Sequence, residues 1–450
     1  MPVNRNNLSE DHIIHLEKAD EISPTFCSAK WHMVTLHLAQ GETHSCYHPW
    51  THKIPLKELE GNPGAIHNTE FKKSQRKLML KGERPKECEY CWRMEDLGNI
   101  SDRVIRNAEP FAKNDLHIFK DYTGDENVYP RHVEVSFSTT CNLKCSYCNP
   151  TVSSKWLEEV KEHGGYKTST EFNDYIKPDK PLPFYLDRDY NPYVEAFWEW
   201  LPDAYNHLEV LRVTGGEPLM SKHTFKLLDY IGEHPNKKLE VIVNSNMCVP
   251  DKLIDQAISA GQKLIDKVGI FTMFASLDSV GEQAEYQRYG LDYAQFTRNV
   301  RRFLDEIPGS QVFFTCTFNL FSVPKIKEYM MYMNELRNDY GDRVFFDTPY
   351  LRFPPHQCVQ ILPNEYSKYL DDAEEYMKET HFPQIAIDKI IRLRNYMTNK
   401  DFSEDNISTY RKDFIIFVDE HDKRRGTNFL KTFPELKDFY NLCKNEINYA

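Results

Sequence analysis

What the sequence lacks narrows its class first. It has no run of about 18 apolar residues, so no membrane-spanning helix and no membrane partner are expected. Its opening residues, MPVNRNNLSEDH, are polar and acidic and carry no apolar export segment. A soluble, cytoplasmic protein is the expectation. Positive charge is short: 56 Lys and Arg stand against 68 Asp and Glu, a formal net charge of −12. Broad contact with a phosphate backbone needs a positive field, so nucleic acid is not an expected partner. One basic run, KKSQRKLMLKGERPK (72–86), breaks the pattern. Such runs usually form a solvated helix face, and the alternative is a nucleic-acid contact. Low-complexity tracts and internal repeats are absent. Neither charge nor hydropathy excludes a sizeable core, since 40% of residues are hydrophobic and 13% aromatic.

Cysteine is plentiful but not paired as in exported proteins. There are 11, an odd number. In a reducing compartment, clustered thiols read as metal ligands or catalytic groups. Cys27, Cys46, Cys88 and Cys91 precede residue 100, and Cys141, Cys145 and Cys148 crowd into TTCNLKCSYCNP (139–150). Cys248, Cys316, Cys358 and Cys443 are scattered and read as small buried hydrophobes. The tight group is itself one thiol short. A 4Fe–4S cluster takes four thiolates, so three would leave one iron open to a small molecule bound by its amine and carboxylate. Part of a zinc site is the other reading.

From about residue 131, β-rich runs alternate with helix-like stretches. HVEVSF (132–137) leads to SSKWLEEVKEH (153–163), and LEVLRV (208–213) to HTFKLLDYIGEH. KLEVIVN (238–244) leads to DKLIDQAISAG, and KVGIFTMFASLD (267–278) to YAQFTRNVRRFLDEI. QVFFTCTF (311–318) precedes PKIKEYMMYMNELRNDYG, and RVFFDTPYL (343–351) precedes NEYSKYLDDAEEYMKE. Six such repeats imply an α/β fold: a parallel sheet with helices outside, curled by right-handed crossovers into a partial (β/α)6 barrel. Residues 177–192 hold four prolines and read as a loop, either a surface insertion or a lid or substrate wall. The tail after 383 reads as mixed helix and loop.

The polar candidates fall at strand ends. TTCNLKCSYC follows the first strand, TGGEP (214–218) the second and NSN (244–246) the third. Ser276 and Asp278 end the fourth, Thr317 and Asn319 the fifth, Tyr350 and Arg352 the sixth. Barrel active sites are built from loops at that C-terminal face.

C-x3-C-x2-C after the first strand of a βα barrel resembles the radical S-adenosylmethionine (SAM) superfamily, over about residues 130–355. The resemblance implies that Cys141, Cys145 and Cys148 hold a 4Fe–4S cluster whose open iron chelates SAM. Tyr147 matches an aromatic position near the adenine. Gly215, Gly216 and Glu217 match the GGE motif that meets the SAM ammonium. Ser276, Asp278 and Arg288, in SLDSVGEQAEYQRYG, match a segment serving the ribose hydroxyls and the SAM carboxylate, and Asn244, Ser245 and Asn246 a TNG-like turn. Separately, C-x13-G-x4-C (Cys27, Gly41, Cys46) followed by C-x2-C (Cys88, Cys91) is similar to the auxiliary-cluster module called SPASM, in its shortened twitch form. That module usually follows the barrel, and its later cysteines are absent here. Four thiolates would complete a second 4Fe–4S cluster, with a structural zinc as the alternative. His32, His37, His44, His48 and His52 lie nearby and read as packing or surface residues.

These resemblances imply a chain of three parts: a cysteine-rich N-terminal auxiliary module (1–125), the radical SAM partial barrel (126–355) and a mostly helical C-terminal cap (356–450). They imply reductive cleavage of SAM to a 5′-deoxyadenosyl radical, hydrogen abstraction from a substrate, and an external electron donor such as flavodoxin or ferredoxin. With an auxiliary cluster, the expected outcome is oxidative modification of a peptide or protein. The alternatives are a dehydrogenase acting on a small sugar or cyclitol, and a non-catalytic iron–sulfur or zinc scaffold. Asp347, Tyr350 and Arg352 are the acid–base candidates at the last strand end.

Overall fold

The computed structural model describes residues 9–170, 172 and 190–448. Of the proline-rich segment 177–192, residues 177–189 lie outside the described residues.

Eleven strands are described. In chain order they are β1 (Met33–His37), β2 (Glu42–His44), β3 (His52–Lys53), β4 (His132–Ser136), β5 (Lys144–Cys145), β6 (Val210–Thr214), β7 (Asn236–Ser245), β8 (Val268–Ser276), β9 (Arg288–Tyr289), β10 (Gln311–Thr315) and β11 (Val344–Asp347). Nine of them form one sheet in the order β11-β10-β8-β7-β6-β4-β1-β2-β3. The six strands expected from the alternation stand side by side in it, all parallel. A mixed α/β fold with a nine-stranded, mostly parallel sheet follows, of the kind that curls into a partial barrel.

The helices cover one face of that sheet, for a reason written in their spacing. In Tyr293–Glu306, Phe296, Asn299, Val300, Phe303 and Leu304 are buried and share one face. Arg301 and Arg302 point away and pair with Glu335, Asp339, Asp255 and Glu306. The strands alternate to match. Val133, Val135, Leu211, Val213, Val241 and Val243 are fully buried toward the helices. The other face carries polar residues: Glu134 on β4, Arg212 and Thr214 on β6, Asn244 on β7. Arg212 Nε donates to Asn244 Oδ1 at 2.9 Å, and its guanidinium lies 4.7 Å over the Phe274 ring.

Three features were not expected. The N-terminal segment contributes to the main sheet: β1 runs parallel to β4 over five residue pairs, from Met33↔His132 to His37↔Ser136. The helix Pro192–Tyr205 begins where the loop was read; Asn191 Oδ1 accepts from the amides of Tyr193 and Val194, and Pro202 is tolerated near its end. The basic run 72–86 is not a wholly solvated face, because Lys72 and Arg76 are buried. The C-terminal region is helical, built on Gln384–Thr398, Glu404–Arg425 and Lys437–Asn448. The four scattered cysteines are all buried, as small hydrophobes would be. No helix among the described residues is long and apolar enough to cross a membrane.

Candidate active site

The three clustered cysteines lie in the loop after β4, and several segments hold that loop. Cys141 N–H donates to Ser154 Oγ (3.1 Å), and Trp156 Nε1 donates to the Cys145 carbonyl (2.9 Å). A two-stranded ribbon, β5 with β9, sets Cys145 opposite Arg288 and Lys144 opposite Tyr289. Ser146 N–H continues the ribbon by donating to the Gln287 carbonyl at 2.7 Å. Arg425, the last residue of helix Glu404–Arg425, donates to the Lys144 carbonyl at 3.0 Å.

The GGE turn docks against the same loop. Gly216 N–H donates to the Ser138 carbonyl (3.0 Å) and Glu217 N–H to the Thr140 carbonyl (2.7 Å). The glycines allow this approach, because a Cβ on Gly216 would sit 2.4 Å from the Thr140 oxygen. Gly215 adopts φ +133°, which favours glycine. Glu217 is buried and accepts from Ser245 Oγ (2.9 Å), Leu219 N–H (3.1 Å) and Asn246 N–H (2.7 Å). Burial still pushes its carboxyl up to about 7.

A cavity of about 260 Å³ opens between these elements. Its wall includes Cys141, Cys145, Cys148, Tyr147, Gly215, Gly216, Glu217, Asn244, Ser276 and Arg288. Of the residues matched to the SAM-binding segments, Asp278 is not on that wall. It lies behind, pairing with Arg288 Nε at 2.9 Å, while Tyr147 Oη donates to it at 2.8 Å and Thr317 N–H at 2.8 Å. Arg288 Nη1 in turn points at Cys145 Sγ (3.6 Å). Asp278 thus orients Arg288 and Tyr147. Thr317, expected at the end of the fifth strand, also lines the cavity, and so does Thr315, which sequence reasoning missed although its strand-end position was the signal. Asp347 is held by Lys389 and Arg392, each 3.5 Å away, and Tyr350 stacks on Tyr396 at 3.8 Å. Neither they nor Arg352 reach the cavity wall.

The residues present fit a three-thiolate cluster with SAM. Three thiols face one cavity, and burial raises all three above the ordinary thiol range. Bound iron would deprotonate them outright. The Thr315 hydroxyl is buried without a partner, a group a bound ligand can satisfy.

The other four cysteines also meet. Cys27, Cys46, Cys88 and Cys91 come from three separate segments and line one closed cavity of about 20 Å³ with Lys30, Arg103 and Arg106. Cys27 feels the other three electrostatically, and burial raises all four thiols. Arg103 fixes the Cys27 segment by donating to the Phe26 carbonyl (3.0 Å) while paired with Glu95 (2.8 Å). Among the described residues, no three His, Cys, Asp or Glu side chains converge as a ready site for a single metal ion.

Comparison with known proteins adds the family. Residues 135–328 match the family model for the Radical SAM superfamily, and that segment contains the three clustered cysteines, the GGE turn, Ser276, Asp278 and Arg288. Among solved structures, the chain is similar to Streptococcus suis SuiB bound to S-adenosylmethionine, with 15% identity, 77% of this chain and 69% of that chain covered, and a TM-score of 0.36. SuiB bound to the precursor peptide SuiA gives 15% identity, 79% and 70% coverage and a TM-score of 0.36. Native anSMEcpe with bound AdoMet gives 16% identity, 54% and 59% coverage and a TM-score of 0.35. No curated protein matches the sequence. Residues 135–328 are those of the radical SAM superfamily, and the chain is a radical SAM enzyme.

Proposed function

We propose that this enzyme carries out an oxidative modification of a peptide or protein, with the 1–125 segment acting as an auxiliary module that holds a second 4Fe–4S cluster. One observation supports this reading above the others. Four cysteines spread over the first hundred residues meet at one cavity, and Tyr47, next to Cys46, reaches the charges of Arg212 and Glu134 on the polar face of the sheet. A redox group there would lie on the side of the sheet that carries its polar face.

When bound, the barrel cluster and SAM supply reductive cleavage of SAM and the carbon radical that takes a hydrogen atom from substrate. The chain's own residues do the rest. Cys141, Cys145 and Cys148 hold iron. Glu217, whose carboxyl burial raises, offers an acceptor to the SAM ammonium. Ser276, Thr315 and Thr317 present hydroxyls along one wall, and Asn244 is turned aside by Arg212. Arg288, anchored by Asp278, presents a fixed cation for a carboxylate beside Cys145. Electrons come from an external donor such as flavodoxin or ferredoxin.

The N-terminal centre has a second reading, zinc. Four thiolates complete either a four-iron cluster or a structural zinc site. Metal content decides. Anaerobically reconstituted protein should hold about eight irons per chain and negligible zinc. About four irons with one zinc would make the module structural and remove the oxidative step. With dithionite and SAM, the protein should release 5′-deoxyadenosine, and Cys141→Ala should abolish it. A product with two fewer hydrogens than its substrate supports the oxidative reading; a redox-neutral product overturns it.

A further inference from the structure

The basic run 72–86 divides in the fold. Helix Glu70–Leu80 turns Lys73 and Lys77 outward, paired with Glu70 (3.2 Å) and Asp125 (2.5 Å). It turns Lys72, Arg76 and Met79 inward on one face. Lys72 is 1% exposed and Arg76 0%. Among the described residues, neither pairs with a carboxylate. Lys72 Nζ lies 3.3 Å from His67 Nδ1. His67 Nε2 is 2.9 Å from the Trp31 carbonyl and 3.3 Å from Arg76 Nη2. Arg76 donates to the carbonyls of Lys30 (3.0 Å) and Glu126 (3.2 Å) and to Asn68 Oδ1 (2.9 Å). These are neutral acceptors. Buried basic groups without a counter-charge are costly to keep charged, and burial pushes Lys72 well below the ordinary lysine range, so two together require an explanation.

Met79, on the same inward face of that helix, lines the four-cysteine cavity. Lys30 lines it, the Lys30 carbonyl holds Arg76, and the charge of Lys72 reaches Cys46. The carboxylates around the cavity are already matched: Glu87 with Lys30, Glu95 with Arg103, Glu109 with Arg106 and Asp102 with His48. Lys72 and Arg76 are therefore basic groups behind the four thiols with no carboxylate in contact, the charge of Glu126 reaching Arg76 only at longer range. Four thiolates on zinc, or on an oxidised four-iron cluster, make a centre of charge about −2. We infer that Lys72 and Arg76 are the counter-charges of a dianionic tetrathiolate centre formed by Cys27, Cys46, Cys88 and Cys91. The inference rests on reading those cysteines as a metal site, and it holds for either metal.

The test uses the full chain with Cys141, Cys145 and Cys148 changed to Ala, so that only the N-terminal site loads. Lys72→Met is compared with the outward Lys73→Met, in metal-free and loaded forms. Without metal, Lys72→Met should melt higher than its parent, because it removes a buried amine that has no counter-charge. Loaded, it should lose metal to a chelator several-fold faster and, if the metal is iron, show a midpoint moved to more negative potential. Lys73→Met should match the parent in every measurement. Lys72→Met that melts lower without metal, fails to fold, or behaves like Lys73→Met overturns the assignment. A parent that binds neither iron nor zinc overturns the metal reading and the counter-charges with it.

Discussion

A methyl group added at Gly216 would press on two backbone oxygens, those of Thr140 at 2.4 Å and Thr139 at 2.6 Å. Backbone yields poorly, so Gly216→Ala should cost about 2 kcal/mol or more and push the cysteine loop off the GGE turn. Urea unfolding and barrel-site iron content check this; parent-like values in both would refute it. Asp278 and Arg288 form a buried pair, with side chains 0% and 7% exposed. Asp278→Ala leaves Arg288 unmatched and should cost roughly 3–5 kcal/mol, seen as a lower denaturation midpoint. His356 makes a third residue-scale case. It is fully buried among Phe172 and Phe417, and burial holds its pKa down to about 3. The unfolded imidazole protonates near pH 6.5, the folded one only near 3. Stability from this site is therefore complete above about pH 6.5 and falls as pH drops toward 3, by a few kcal/mol. His356→Phe should flatten that acid slope in unfolding measured at several pH values. An unchanged slope would show that other groups carry it.

At the scale of elements, the active loop depends on parts distant in sequence. The ribbon β5–β9 joins residues more than a hundred positions apart. Arg425 closes the structure from behind: it is buried, donates to the Lys144 carbonyl, and pairs with Glu159 at 3.3 Å, which Lys144 also meets at 2.7 Å. Arg425→Met should loosen the cysteine loop at a cost of ~3 kcal/mol, with less iron at the barrel site and unchanged metal at the N-terminal cavity. Equal iron at both sites would remove this role. The elements themselves were largely legible. The six strands and their helices follow from runs of Val, Ile and Phe alternating with helix-period stretches. Helix Pro192–Tyr205 was not, because an internal proline and apolar residues on most sides hide its period. Strands as short as β2 and β3 were equally hidden, since three residues carry no alternation.

For the whole molecule, the pairing of β1 with β4 matters most. It carries the sheet from the N-terminal segment into the barrel strands, so the division expected at residue 125 falls within one sheet. A chain of residues 126–450 would expose the β4 edge along five residues. It should be recovered as aggregate, by soluble yield and sedimentation. A soluble monomer that binds iron at the barrel site would show that the edge needs no cover.

Sequence alone raised the chemistry expected at the barrel face. Three cysteines at tight spacing, two adjacent glycines before a glutamate, and residues set at strand ends are local patterns, and local patterns survive without knowledge of the fold. Only the tertiary structure decided which groups face one another. It set Asp278 as the buried partner of Arg288, gathered four distant cysteines into one cavity, and turned Lys72 and Arg76 of a basic run inward. Those outcomes depend on burial and on contacts between remote segments, and side-chain direction at a single position sets both.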